Sequence, residues 1–120
     1  MNRIRKTKGF TLVEIMIVVL IIGILMAIAV PNFLKARQSS RQKTVIANLK
    51  QVDSAKEQWA METGKINGDA CAEANLYPTY MKSYPNNTPV AGTYVPQPVG
   101  QDPDFINKTA AQWAADPTGL

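Results

Sequence analysis

The stretch that decides the fold is KGFTLVEIMIVVLIIGILMAIAVPNF, residues 8–33. From Phe10 to Val30, a run of 21 residues, only Thr11, Glu14 and Gly23 are not plainly apolar. At about 1.5 Å per residue, a helix of that length spans roughly 30 Å, the thickness of bilayer hydrocarbon. Lipid offers the backbone no hydrogen bonds, so the segment is expected to be helical. A secretory signal would have an apolar stretch of about 7–15 residues followed by a small-residue cleavage box. This run is longer and passes through Pro31 into a helical pattern, so a retained anchor is the better reading. Glu14 is the anomaly. An acid at the bilayer centre costs about 2.5–3.5 kcal/mol, and less near the interface. It reads either as an interfacial carboxylate reached by water or as a group kept for a partner. It lies one helical turn from Phe10, so the two are candidate neighbours on one face.

Charge supports the anchor. The chain has 120 residues, with 13 Lys/Arg against 9 Asp/Glu and a formal net charge of +4. The basic excess flanks the apolar run: Arg3, Arg5, Lys6 and Lys8 before it, Lys35, Arg37, Arg41 and Lys43 after it. That placement suits anionic lipid headgroups. A nucleic-acid surface would want a basic face interleaved with aromatics, and none is visible. Four basic residues on each side leave the orientation undecided by charge. The chain has no histidine, the commonest general base and metal ligand, and its single cysteine, Cys71, cannot form an intramolecular disulfide. Cys71 reads as a small buried residue. With no nucleophile motif, metal cluster or glycine-rich phosphate loop, an enzyme is not expected.

Beyond Pro31, Val45, Leu49, Val52 and Trp59 recur at spacings of four, three and seven, with Ala55 beside them. This is the stripe of an amphipathic helix. Gln38, Lys43, Lys50, Lys56 and Glu57 are assigned to its other faces. The helix is expected from about Thr11 to about Thr63, kinked or locally unwound at Pro31, with Gly64 as its stop.

Residues 65–120 hold seven of the eight prolines, a composition that favours turns and short elements. We expect a turn at Asn67-Gly68, then a short helix capped by Asp69 and running to Leu76. One or two very short strands are expected around 93–95 and 98–100. A terminal helix capped by Asn107 and ending before Pro117 closes the chain. Tyr77, Tyr80, Tyr84, Tyr94 and Trp113 read as a cover over the helix stripe rather than as a ligand patch. The fold class is therefore α+β: a long N-terminal helix with a small, loop-rich head of short helices and minimal antiparallel strands. The organisation is 1–9 leader, 10–31 membrane helix, 32–64 amphipathic helix and 65–120 head.

Lys8-Gly9-Phe10-Thr11-Leu12-Val13-Glu14 resembles the processing and methylation motif of type IV pilins and type II secretion pseudopilins, and the chain as a whole resembles short major pseudopilins. The resemblance implies cleavage between Gly9 and Phe10 by a membrane peptidase, methylation of the new Phe10 amine, and an assembly role for Glu14 paired with that amine. It also implies a helix bend at Pro31. The leader would lie in the cytoplasm and the head in the periplasm, on a single pass through the bacterial inner membrane. The implied partners are other pseudopilins in a homopolymer, the peptidase/methyltransferase, an inner-membrane assembly platform with its ATPase, and lipid. Function then reads as a structural subunit of a secretion pseudopilus, with a type IV pilus subunit in adhesion, motility or DNA uptake as the alternative. Finally, the resemblance raises calcium in the C-terminal head. Asp102, Asp104, Asn107 and Asp116 offer the oxygen ligands calcium takes, at a spacing that matches no defined loop. No other cofactor is expected.

Overall fold

A computed structural model of the chain describes residues 7–120, so Arg3, Arg5 and Lys6 of the leader lie outside the described residues. The elements run α1 (Leu12–Thr63), α2 (Glu73–Leu76), β1 (Tyr94–Val95), β2 (Asp104–Phe105), β3 (Lys108–Thr109) and α3 (Ala110–Ala115). The α+β class holds: one long helix precedes a small region of short helices and an antiparallel sheet. The chain divides into two units, residues 1–36 and 37–120, and α1 contributes residues to both.

α1 starts and stops on chemical signals. Thr11 precedes its first turn, and Gly64 follows its last residue at φ +66°. The amide of Lys65 reaches back to the carbonyl of Ala60 at 2.9 Å, the backward bond that closes a helix through a left-handed glycine. Pro31 removes one donor from the ladder, yet the helix continues across it without local unwinding.

In the second unit the apolar stripe becomes the core. Val45, Leu49, Val52, Ala55 and Trp59 are all buried. Leu76, Met81, Tyr84, Tyr94, Phe105 and Trp113 cover them. The aromatic residues therefore divide. Tyr84, Tyr94 and Trp113 join the core, Tyr80 is half-buried, and Tyr77 stays exposed. Tyr94 stacks on Phe105 with ring centroids 4.5 Å apart, and Phe105 lies 6.3 Å from Trp113. Buried polar atoms of these rings are satisfied, as burial requires. Trp113 Nε1 donates to the Phe105 carbonyl at 3.0 Å, and the Tyr84 hydroxyl donates to the Tyr94 carbonyl at 2.9 Å. Burial pushes the Tyr84 hydroxyl well above its ordinary pKa. Asn48 and Gln42 of α1 also reach across, to the Tyr94 hydroxyl at 3.0 Å and the Trp113 carbonyl at 2.8 Å.

Several local expectations are corrected. Residues 98–100 form a turn, and the second and third strands are instead Asp104–Phe105 and Lys108–Thr109. They pair as a hairpin, Asp104 opposite Thr109 and Phe105 opposite Lys108, with β1 on the other side of β2. The hairpin turn is Ile106-Asn107, at φ +52° and +57°. Positive φ at both positions is the geometry of a two-residue turn that follows strand twist. Asn107 is thus a turn residue, and the cap of α3 is Thr109. Thr109 and Gln112 form a capping box, in which the Thr109 amide donates to Gln112 Oε1 at 2.8 Å. Asp69 does not cap α2 either. It accepts from the Ile66 amide at 3.0 Å and closes the Asn67-Gly68 turn, while α2 begins after Ala72.

Lys56, assigned to a solvent face, is 2 % exposed. Its ammonium donates to the carbonyl of Pro96 at 3.0 Å and to that of Gln101, and lies 3.5 Å from Asp53. Loop 96–101 is thereby fastened to α1.

Gly92 reports on how tightly the head is packed. A Cβ there would lie 2.7 Å from Ile106 Cγ1 and 2.8 Å from the ring of Phe105. Phe105 is fully buried and has no room to retreat. Gly92→Ala is expected to cost about 1–3 kcal/mol by overpacking. A chemical melt checks this, and an unchanged midpoint would mean that the ring relaxes freely.

Candidate functional site

The candidate site is the start of α1 and the apolar surface behind it. Gly9, Phe10 and Thr11 precede the helix in non-helical chain, and Gly9 and Phe10 are exposed. A Cβ on Gly9 would meet nothing within 4 Å. Thr11 and Glu14 form a reciprocal cap. The Glu14 amide donates to Thr11 Oγ1 at 3.2 Å, and the Thr11 amide donates to Glu14 Oε2 at 3.3 Å. This satisfies two of the donors that a helix start leaves open, and the carboxylate also faces the positive end of the helix dipole.

The cap aims the Glu14 carboxylate back toward the start of the chain. Phe10 and Glu14 line one open apolar recess together with Ile15, Ile17 and Val18. The two residues singled out by spacing are therefore brought together. Sequence reasoning missed the cap, although Thr11-Leu12-Val13-Glu14 spells the capping-box pattern directly before an apolar run.

Behind this cap the apolar surface is bare. Phe10 is 86 % exposed, and every large apolar residue from Leu12 to Leu34 is exposed as well. A surface of this extent marks a lipid or protein contact. Among the described residues, α1 is the helix long and apolar enough to cross a membrane. Lys8 precedes it, and Lys35, Arg37, Arg41 and Lys43 follow the apolar run on α1 itself.

The residues considered for calcium do not converge. Asp104 Oδ2 accepts from Gln97 at 2.9 Å, Asn107 sits exposed in the hairpin turn, and Asp102 is exposed. Asp116 Oδ2 is 2.9 Å from Lys108 Nζ. Hydrogen bonds from Lys108 first, then from Thr118, hold the Asp116 carboxyl down to about 2. Among the described residues no three His, Cys, Asp or Glu side chains gather into a metal-binding group. Cys71 is half-buried, and burial raises its thiol pKa, which keeps it a poor nucleophile at neutral pH.

Comparison with known proteins converges on the same segment. Residues 4–30 match the prokaryotic N-terminal methylation motif. The chain is 49 % identical over 62 residues to a type IV major pilin protein of Myxococcus xanthus, covering 52 % of this chain and 28 % of the pilin. It is 35 % identical over 83 residues to a type IV wide pilus major component of Thermus thermophilus, covering 69 % of this chain and 61 % of that protein. It is 26 % identical over 106 residues to the type II secretion system core protein G of Pectobacterium carotovorum, covering 85 % of this chain and 68 % of that protein. The chain thus spans less than two thirds of either pilin's length. No solved structure matches significantly. The methylation motif, the bare apolar helix behind it and these relatives together make the chain similar to type IV pilins and to type II secretion core protein G.

Proposed function

We propose that the chain is a pseudopilin, a structural subunit that polymerises from the inner membrane to support type II secretion. The observation that carries this reading is the exposed apolar helix behind Phe10 and Glu14, which needs lipid before assembly and other subunits after it. The similarity to core protein G over 106 residues supports the secretion reading.

In this reading a membrane peptidase cuts between Gly9 and Phe10, and Phe10 is then methylated. An exposed, non-helical segment suits that cut, because a protease needs extended backbone. The leader lies in the cytoplasm and the head in the periplasm, and Pro31 marks where α1 bends during assembly. The partners are like subunits, the processing enzyme, and an assembly platform with its ATPase. The chain itself performs no catalysis.

Mass spectrometry of the membrane-extracted protein tests the reading. The expected mature chain starts at Phe10 and carries one methyl group on its amine. An intact leader would overturn it. The identity with the Myxococcus pilin supports a second reading, a type IV pilus subunit. A deletion strain separates the two: loss of a secreted reporter with surface fibres intact marks the pseudopilin, and the reverse marks the pilin.

A further inference from the structure

The C-terminal segment closes on a cation that the chain itself supplies. Lys108 leaves β3 and points its ammonium into a group of oxygens: Asp116 Oδ2 at 2.9 Å, the Thr118 carbonyl at 3.3 Å and the Asp116 carbonyl at 3.4 Å. The same ammonium lies 4.6 Å from the centroid of the Trp113 ring, which is 1 % exposed. Asp116 in turn accepts the Thr118 amide at 3.0 Å and the Thr118 hydroxyl at 2.7 Å. One charge thus ties residues 116–118 to the β2–β3 hairpin.

We propose that Lys108 is the resident cation of the head, whose ammonium orders the C-terminal segment through the Asp116 and Thr118 oxygens in place of a bound metal ion. An isolated surface ion pair contributes little. This one differs because the ammonium meets three oxygens at once and stacks on the face of a buried ring, which restricts the lysine while the Asp116 side chain stays open to water. The oxygen residues expected for calcium do not assemble elsewhere: Asp104 is held by Gln97, and Asp102 and Asn107 face solvent. The head of this chain therefore needs no divalent ion for its closing turn.

The test uses the full-length chain in detergent micelles, followed by thermal melting and amide hydrogen exchange. Wild-type melting is expected to be the same in millimolar calcium and in excess chelator. Lys108→Ala and Asp116→Asn should each speed exchange at residues 116–120 by about tenfold, the loss of one charge-assisted network. The double variant should be no worse than either single, because both remove the same interaction. Lys108→Arg should restore most of the protection. A calcium-raised melting temperature in the wild type would overturn the proposal. So would unchanged exchange at residues 116–120 in Asp116→Asn, a variant that leaves the hairpin and the core untouched.

Discussion

Lys56→Ala is expected to destabilise the head by about 2–4 kcal/mol, more than Gly92→Ala, although it replaces a charged residue on a helix. Three effects set the sum. The variant removes two hydrogen bonds from a charged donor, each worth about 1.5–3 kcal/mol, and leaves the buried Pro96 carbonyl without that partner, while the Gln101 carbonyl lies nearer the surface. It also removes buried methylenes, at about 0.8 kcal/mol apiece. Against these losses, an ammonium no longer has to leave water, which returns part of the cost. Lys56→Met separates the contributions, because it keeps the stem and removes only the charge. It should fall between Ala and wild type. Chemical denaturation followed by Trp59 fluorescence reads both, since Trp59 lies one turn away and is buried. If Met and Ala were both neutral, the ammonium would not be what holds loop 96–101.

Lys56 also shows what the sequence disclosed and what it hid. Positions 45, 49, 52, 56 and 59 step by four, three, four and three, so Lys56 occupies a core position of the stripe. Residue type argued for solvent while period argued for the core, and period prevailed because loop carbonyls were available to receive the ammonium. The long helix was legible because its signals are long-range: an apolar run of bilayer length and then a sustained stripe. The glycine stop and the Asn67-Gly68 turn were legible because positive φ has few residue solutions. The hairpin was not. Its strands are two residues each, too short for alternation to register, and its turn is Ile106-Asn107 rather than a glycine-bearing pair. A β-branched residue at φ +52° is a choice that tertiary packing enforces and local preference does not. The cap at Thr11 is written in Thr11-Leu12-Val13-Glu14, where one carboxylate is both an acid in an apolar run and the third residue of a helix.

That double role makes Glu14 the most informative position for function. Glu14→Ala is expected to insert normally and to be processed, yet to be nearly absent from assembled filaments. Insertion should not suffer, since removing a carboxylate from a membrane segment relieves a cost. Two distinct losses would follow. The Thr11 amide loses its acceptor, and, in the proposed reading, the mature Phe10 amine loses its anionic partner. Glu14→Gln separates them, because a glutamine side chain still completes the reciprocal cap while carrying no charge. If charge pairing with the Phe10 amine governs assembly, Gln and Ala fail alike. If the cap governs it, Gln assembles and Ala does not. We expect both to fail. The cap is a surface interaction worth on the order of 1 kcal/mol, whereas an amine left unpaired against apolar subunits meets the full penalty of a desolvated charge. Membrane fractionation gives insertion, and sheared-filament pelleting gives incorporation. Wild-type incorporation of Glu14→Gln would sink the pairing argument and leave Glu14 as a cap. The cap itself bears on the pairing. Because it already holds the carboxylate toward the chain start, the side chain would lose little further freedom if a new Phe10 amine is formed as proposed, and that pre-organisation would lower the entropy lost on pairing.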